Sequence, residues 1–275
     1  MLTNRSENKE DKMELDIYVV DAFTDTQFKG NSAAVVPLQE WLEPELMQNI
    51  ATENNLSETA FVKTIGTNQY EIRWFSPLTE IDFCGHATLA ASMVLFDKLG
   101  VTGSIEFHTL KVGTLTVIKN ALGKIEMTFP TRAPHPVNAI PTQLIEGLNC
   151  EITHVLLSPQ AYFVIVEDEQ TVFDVQYRSD QLKQLAPYDV VVTSKGSQYD
   201  FVSRYFWPAN GGDEDPVTGS IHAGLAPYWA QELGKASLVA YQASARGGVL
   251  YCEVKEDCVK VSGDGVLYMK GKIYV

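Results

Sequence analysis

The sequence contains two apolar helical segments of equal length, each bracketed by glycines in the same way. The first covers residues 86–99, between Gly85 and Gly100, and the second lies between Gly219 and Gly234. The interval between the two opening glycines equals the interval between the two closing glycines. A repeat of this kind indicates one structural unit that is built twice within the chain.

The strands predicted before the two helical segments also match each other. Residues 73–77 read Arg-Trp-Phe-Ser-Pro, and residues 204–208 read Arg-Tyr-Phe-Trp-Pro. The interval between these strands is slightly shorter than the interval between the glycines, so the second strand-to-helix connection carries extra residues, within 209–216. Because both features recur in the same order, we interpret the chain as two halves with a common plan.

Both helical segments are apolar on nearly all sides, which is typical of a helix that is covered on most sides. Alternating apolar residues predict strands around each of them. We therefore predict an α+β fold with two pseudo-symmetric domains, each a mixed β-sheet wrapped around a central α-helix. The predicted units are a disordered segment at 1–13 and domains at 14–131 and 132–275, with the C-terminal strand as a candidate addition to the first domain. Pro227 is expected to bend the second helix, because proline removes a helical hydrogen bond.

Composition and charge limit the classes of function. The net charge of −14 argues against nucleic acid or an anionic membrane surface as a partner. Four cysteines without a C-x-x-C pair, in a chain of 275 residues, predict a reducing cytoplasm rather than a disulfide framework. Residues 1–13 are polar and lack the apolar core of a secretory signal. No apolar run approaches the length that spans a bilayer.

Each helical segment begins at a glycine-containing loop, where free backbone N–H groups and the helix dipole favour a negative group. Two halves related by a pseudo-twofold axis would direct both helix starts into one inter-domain cleft. Such a cleft would bind a carboxylate and stabilise developing enolate-like charge. For either loop alone, glycines that merely permit a tight turn are the better interpretation. For the pair, with titratable residues at both loops, we favour a site.

The candidate residues at these loops are His86 at the first and Asp215 and Ser220 at the second, with Glu58 in a polar notch before a strand. Each has an ordinary structural explanation when taken alone. A single histidine is more often a capping or structural residue, and Asp before Pro is common turn chemistry. Glu58 alone is equally well explained as an acid at the end of a strand.

Four motifs together resemble the PhzF-like family, named for a phenazine-biosynthesis isomerase. Their order and spacing match over nearly the whole chain from residue 14. They are Gly30-Asn31-Ser32-Ala33-Ala34-Val35, Leu56-Ser57-Glu58-Thr59-Ala60-Phe61, Phe83-Cys84-Gly85-His86-Ala87-Thr88 and Glu214-Asp215-Pro216-Val217-Thr218-Gly219-Ser220.

The resemblance implies the diaminopimelate-epimerase fold and proton transfer without a cofactor or metal. The proton-shuttling glutamate of the family falls on Glu58, and its assisting histidine and aspartate fall on His86 and Asp215. We also assign substrate binding to four residues of the motifs: Asn31, Gly85, Gly219 and Ser220. The expected partner is a small-molecule carboxylate, and a homodimer is a candidate assembly. Departures from the family pattern are small: Ser32 where proline is frequent, and Ile221-His222 where Ala-His is common.

Other mechanisms stay open at this stage. The related two-thiol epimerases use one cysteine from each half, but the position equivalent to Cys84 is Thr218, so we interpret Cys84 as a small buried residue. A binding protein that keeps the cleft without turnover is the main alternative function. A metal hydrolase that uses Cys84, His86 and His222 is a third option, although no spaced ligand motif supports it.

Overall fold

A computed structural model of the protein describes residues 13–275. The predicted disorder of residues 1–12 lies outside the described residues. Met13, which the prediction places at the end of the same segment, is among the described residues. Its backbone N–H donates to the carbonyl of Val275 at 2.7 Å, and the N–H of Val275 donates back at 2.9 Å. The two described ends of the chain therefore pair with each other.

The first half contains eight strands and two helices. The second helix, α2, continues as a π-helical turn over Val94–Lys98. The strands are β1 (Glu14–Ala22), β2 (Asn31–Leu38), β3 (Glu58–Gly66), β4 (Gln69–Phe75), β5 (Glu80–Ile81), β6 (Ile105–His108), β7 (Thr114–Lys119) and β8 (Ile125–Pro130), and the helices are α1 (Pro44–Asn54) and α2 (Gly85–Met93).

The second half contains ten strands and four helices, with 3₁₀ turns at Lys183–Leu185 and Pro208–Asn210. The helices are α3 (Thr142–Gly147), α4 (Glu169–Asp174), α5 (Ser179–Leu182) and α6 (His222–Leu233). The strands are β9 (His135–Pro136), β10 (His154–Leu157), β11 (Ala161–Ile165), β12 (Asp189–Lys195), β13 (Phe201–Phe206), β14 (Glu214–Asp215), β15 (Ser237–Gln242), β16 (Gly248–Val254), β17 (Cys258–Gly263) and β18 (Gly265–Tyr274).

The hydrogen-bonded strands form one continuous mixed sheet, and its two halves have the same pattern of parallel and antiparallel pairs. The first half has the order β18-β1-β2-β3-β4-β6-β7-β8, with parallel pairs at β2–β3 and β4–β6. Antiparallel pairing of β8 with β17 leads into β17-β16-β15-β13-β12-β11-β10-β9, with parallel pairs at β15–β13 and β12–β11. The short strands β5 and β14 pair with β4 and β13. The α+β fold with two similar sheets is therefore confirmed.

Each sheet wraps around one of the two apolar helices. All nine residues of α2 are buried, against β1, β2, β3, β8 and β18. Helix α6 packs against β15, β16 and β17. An apolar helix can be buried in this way only where strands cover it on several sides, which explains why its sequence shows no polar stripe. Helix α6 runs through Pro227 as a single helix.

The matching strands carry matching ion pairs. Arg73 Nε donates to Glu80 Oε1 at 2.7 Å in the first half, and Arg204 Nε donates to Glu214 Oε1 at 2.7 Å in the second. These pairs fasten β5 to β4 and β14 to β13 at the point where each strand leads towards its buried helix. The repeat in the sequence is therefore a repeat in local structure.

Two details of the second half differ from the sequence-based prediction. Residues 265–274 form the single strand β18, whereas the apolar pattern of the sequence predicts two separate strands, over 266–269 and 272–275. Helix α6 begins at His222, after a tight turn in which the N–H of His222 donates to the Gly219 carbonyl at 3.2 Å. The domain boundary at 131/132 stays a prediction. Strand β18 pairs with β1, across the full length of the chain.

Candidate active site

A buried acid–base pair joins β3 to the start of α2. Glu58 is the first residue of β3 and His86 is the second residue of α2. Their side chains approach to 2.8 Å between Glu58 Oε2 and His86 Nε2. Apart from this contact, Oε2 has no hydrogen-bond partner among the described residues. A carboxylate with so few partners keeps lone pairs available for proton transfer.

Asn31 connects this pair to the second half of the protein. It is the first residue of β2 and is fully buried. Its Nδ2 donates to Asp215 Oδ1 at 2.7 Å and to the Val217 carbonyl at 3.0 Å, and it lies 3.1 Å from His86 Nδ1. The Ser57 hydroxyl donates to Asn31 Oδ1 at 3.1 Å. One amide therefore fixes the relative positions of His86 and Asp215.

The contact with Glu58 indicates where the proton of His86 lies. A carboxylate oxygen only accepts, so the Nε2 that lies 2.8 Å from Glu58 Oε2 carries a ring proton. Burial lowers the pKa of His86, but the contacts with Cys84 and with the Glu58 carboxylate raise it, and the net pKa lies well above the usual value. In either protonation state of the ring, Nε2 carries a proton that faces Glu58.

Asp215 lies on β14 and is held by the loop that leads to α6. The Thr218 hydroxyl donates to its Oδ2, and Gln242 Nε2 donates to its backbone carbonyl at 2.8 Å. Gln242 also accepts from the Thr218 backbone N–H at 2.8 Å. Burial raises the pKa of Asp215, and the His86 charge and the Thr218 hydrogen bond oppose that shift.

The two helix starts meet at their glycines. A Cβ placed on Gly85 would lie 3.7 Å from both the Gly219 Cα and the Ser220 nitrogen. Among the described residues, the backbone N–H groups of Gly85, His86, Gly219 and Ser220 find no acceptor. Free amides converge here from both halves, and this arrangement suits a carboxylate.

Polar side chains continue from Ser220 towards the second half. Gln160 Nε2 donates to the Ser220 hydroxyl at 3.0 Å and to the Tyr205 hydroxyl at 2.9 Å. Tyr205 in turn donates to Asp189 Oδ2 at 2.6 Å, and Asn210 Nδ2 donates to Asp189 Oδ1 at 2.7 Å. Burial raises the pKa of both Asp189 and Tyr205.

A cavity of about 180 Å³ is lined by the predicted residues Glu58, Gly85, His86, Asp215, Gly219 and Ser220. Asn31 lies behind this wall, as the residue that joins His86 to Asp215. A second chamber of about 480 Å³ lies next to the cavity and shares Phe83, Asp189 and Ser220 with it. We call this second space the outer chamber. Every residue assigned from the sequence therefore lies in or directly behind one cleft.

The sequence analysis missed Asp189 and Tyr205, which line this cleft, and Gln242, which holds Asp215 and Thr218 from behind it. Gln242 is fully buried and gives no local sequence signal, because its partners are far away in the chain. Asp189 had a usable signal. Arg73 and Arg204 occupy equivalent positions in the matching strands of the two halves. Asp189 follows Glu58 by the same number of residues by which Arg204 follows Arg73.

Glu58, Cys84 and His86 bring three ligand-type atoms within 4.8 Å of one another, so these are the described residues that offer a metal site. His222 is not part of this group, and its Nδ1 lies 2.9 Å from the Thr218 carbonyl. The three residues proposed for a metal hydrolase are therefore not brought together as one ligand set.

A Cys84→Ala variant is expected to keep most of the activity. Burial, reinforced by the Glu58 charge, raises the pKa of the Cys84 thiol to about 11, so the sulfur is no thiolate base near neutral pH. Chelators are likewise expected to change neither the melting temperature nor the rate. Cys252→Ala is the matched control, because Cys252 is also buried but lies outside the cleft. A loss of several orders of magnitude in Cys84→Ala alone, or a stoichiometric metal that resists dialysis, would contradict this assignment.

Known proteins share this architecture. The family of phenazine biosynthesis-like proteins matches residues 20–271. A protein of Pseudomonas aeruginosa, named an uncharacterized isomerase, is 46% identical over 264 residues, which cover 96% of this chain and 100% of that protein. The crystal structure of a PhzF family protein from Enterococcus faecalis is 43% identical with a TM-score of 0.91, and the match covers 96% of this chain and 100% of that chain.

A more distant crystal structure, of a predicted epimerase from Pseudomonas aeruginosa, shares the fold at 18% identity with a TM-score of 0.71. That match covers 94% of this chain and 99% of the other. The fold is therefore that of the epimerase-like α+β proteins. Within this class, the chain belongs to the phenazine biosynthesis-like family, also called the PhzF family. Within residues 13–275, no helix is both long enough and apolar enough to cross a membrane.

Proposed function

We propose that the protein is a cofactor-independent isomerase or epimerase that moves a proton on a small carboxylate-bearing metabolite. The observation that carries this proposal is the Glu58 carboxylate. It lines the cleft beside the converging helix starts, and its only close polar contact among the described residues is His86. A group in this position is able to accept a proton at one carbon and return it at another.

The first step transfers a proton from a substrate carbon to Glu58, and the electron pair of the broken C–H bond moves into the substrate as enolate-like charge. The free N–H groups at Gly85, Gly219 and Ser220 hold the substrate carboxylate and stabilise that charge. His86 orients Glu58 through its Nε2 proton. In the second step, Glu58 returns the proton to a different carbon on the same side of the substrate, and the enolate-like charge is consumed.

Asp215 and Asn31 have a supporting role in this mechanism. Asn31 holds the His86 ring and Asp215 in one network, at 3.1 Å and 2.7 Å from Nδ1 and Oδ1 respectively. This network keeps the cleft side of His86 in a single orientation. Proton transfer depends on such positioning, because a misplacement of about 1 Å lowers rates on the order of 10²-fold.

The test begins with a screen of a metabolite extract by thermal shift, followed by mass spectrometry of the bound compound. The compound is then incubated with the protein and followed by NMR. The proposal predicts an isomer or epimer of the same mass. A compound that binds tightly and is returned unchanged at every carbon would instead identify a binding protein without turnover.

A Gly85→Ala variant is expected to fold normally and to lose affinity for carboxylates. The new Cβ would make ordinary contacts at 3.7 Å, so packing tolerates it, but it would occupy space between the two helix starts, 3.7 Å from the Ser220 nitrogen. Loss of a charge-assisted hydrogen bond predicts roughly 10- to 100-fold weaker binding. Calorimetric titration measures the affinity, and thermal melting measures the stability.

Gly271→Ala is the matched control, because Gly271 lies on β18 outside the cleft and its Cβ would make an ordinary contact with Ile17 at 3.9 Å. This variant should bind as the wild type does. Normal carboxylate binding by Gly85→Ala would contradict the anion site at the helix starts.

The cytoplasmic location and the homodimer stay predictions. Fractionation of cells would test the first, and sedimentation analysis of the purified protein would test the second.

A further inference from the structure

Asp189 occupies the position in the second half that Glu58 occupies in the first. Glu58 is the first residue of β3, and Asp189 is the first residue of β12. The next residues pair in the same register, Thr59 with Phe75 and Val190 with Phe206. Val190 follows Thr59, and Phe206 follows Phe75, by the same number of residues. Asp189 follows Glu58 by that number as well. The pseudo-symmetry of the fold therefore brings two carboxylates into one cleft from equivalent strands.

The two carboxylates differ in how firmly they are held. The Glu58 carboxylate has one close polar contact among the described residues, with His86. Both oxygens of Asp189 accept hydrogen bonds, from Tyr205 at 2.6 Å and from Asn210 at 2.7 Å. Tyr205 is itself 3% exposed and is held by Gln160. Burial raises the pKa of Asp189, and the two donors oppose that rise while they hold both oxygens in place. Asp189 therefore has the properties of a binding group rather than of a mobile proton carrier.

The charges around the cavity indicate what such a group would bind. Among the residues that line the cavity, four carry carboxylates and none is a lysine or an arginine: Glu58, Asp189, Glu214 and Asp215. Glu214 is neutralised by Arg204 at 2.7 Å. His86, whose pKa is raised, balances Glu58 at 2.8 Å, and Arg132 lies in the wall of the outer chamber. Among the described residues of the cavity, Asp189 and Asp215 are left without a cationic partner, which favours a ligand that carries a positive group as well as its carboxylate.

We infer that Asp189, fixed by Tyr205 and Asn210, binds a protonated amino group of the substrate at the border between the cavity and the outer chamber. Asp189 lines both spaces, so a ligand that extends from one to the other passes its carboxylate. The inference rests on the proposed function in one respect: the ligand carboxylate is placed at the helix starts. Asp189 is then the residue that selects amino carboxylates over carboxylates without an amino group.

Calorimetric titration with a matched pair of probes tests this assignment. The probes are phenylalanine, as each enantiomer, and 3-phenylpropanoate, which has the same carboxylate and ring but no amino group. Phe83 and Phe129 in the wall of the outer chamber offer an apolar surface for the ring. The wild type should bind one phenylalanine enantiomer about 10- to 100-fold more tightly than phenylpropanoate, the range expected for a hydrogen bond to a charged group.

Asp189→Asn should remove that preference while leaving the affinity for phenylpropanoate close to that of the wild type. Asp25→Asn is the matched control, since Asp25 is exposed and outside the cleft. Tyr205→Phe removes one of the two donors that fix Asp189, so it should reduce the preference in part. It also provides a second test if Asp189→Asn fails to fold.

Glu58→Gln separates this inference from the proposed function. It should keep the preference for the amino group, because binding does not require proton transfer. Retained turnover in Glu58→Gln would overturn the proposed reaction and leave Asp189 as a binding residue. A wild-type protein that binds neither probe, or binds both equally, would overturn the Asp189 assignment. A preference that survives in both Asp189→Asn and Tyr205→Phe would overturn it as well.

Discussion

A Glu58→Gln variant is expected to bind the substrate with near-normal affinity and to lose turnover by about 10²- to 10⁴-fold, the contribution of a positioned acid–base group. Glutamine keeps the shape and the hydrogen-bonding capacity of the side chain, but it does not accept a proton from carbon. Glu58 Oε2 lies 2.8 Å from His86 Nε2, and the amide oxygen of glutamine is able to take the same place. Rates of product formation and titration calorimetry measure the two quantities separately.

Glu53→Gln is the control for this experiment, because it makes the same change at an exposed position on α1. It should leave rate and affinity unchanged. Wild-type turnover by Glu58→Gln would remove Glu58 from the mechanism. An equal loss of affinity and turnover would show that Glu58 acts in binding alone.

The second prediction with a large expected effect is that buried His222 lowers the stability of the folded protein at acidic pH. This residue is fully buried on α6, and its Nε2 has no hydrogen-bond partner among the described residues. Burial lowers the pKa of His222 to about 4, while the carbonyls of Thr218 and Gly219 oppose that shift. In the unfolded chain, the histidine takes up its proton near pH 6.5. Between pH 6.5 and 4 the unfolded state therefore binds more protons, and stability falls as the pH falls.

The expected loss from this one residue is roughly 3 kcal/mol over that pH range, because each pKa unit corresponds to about 1.4 kcal/mol. A His222→Asn variant keeps a donor for the Thr218 carbonyl but does not titrate. Its free energy of unfolding, measured with urea at several pH values, should fall less steeply towards pH 4 than that of the wild type. His135→Asn, at an exposed position, is the control and should keep the wild-type slope. Identical slopes for His222→Asn and wild type would contradict the lowered pKa.

The repeated helix was the part of the fold most accessible from the sequence. Its glycine spacing and its apolar character on all sides depend only on neighbouring residues, and they correctly predicted two sheets around two central helices. Helices α3, α4 and α5 were missed, because segments of four to six residues are too short for a clear helical period. The single strand β18 was predicted as two, because its polar outer half depends on pairing with β1.

The site was predictable to a similar extent. Glu58, His86 and Asp215 lie in motifs, and the structure brings all three to one cavity. The residue that joins them was predicted only as a substrate-binding residue. Asn31 holds His86 and Asp215 although it lies far from both in the sequence, and such a contact follows from strand pairing rather than from any local pattern. Asp189 could have been predicted from the repeat, because it follows Glu58 at the interval that separates the matching strands. The two halves were compared at those strands and at the helices, but not at the strands that begin with Glu58 and Asp189.

Proton transfer at carbon is the central claim, and one NMR measurement in deuterated water tests it most directly. The substrate is incubated with wild-type protein and with Glu58→Gln, and every C–H signal is followed over time. We predict that in the wild type one C–H position loses its signal while a different carbon gains hydrogen or deuterium. Glu58→Gln should produce neither change. Conversion by Glu58→Gln at the wild-type rate, or conversion by the wild type without any change at a C–H position, would contradict the account.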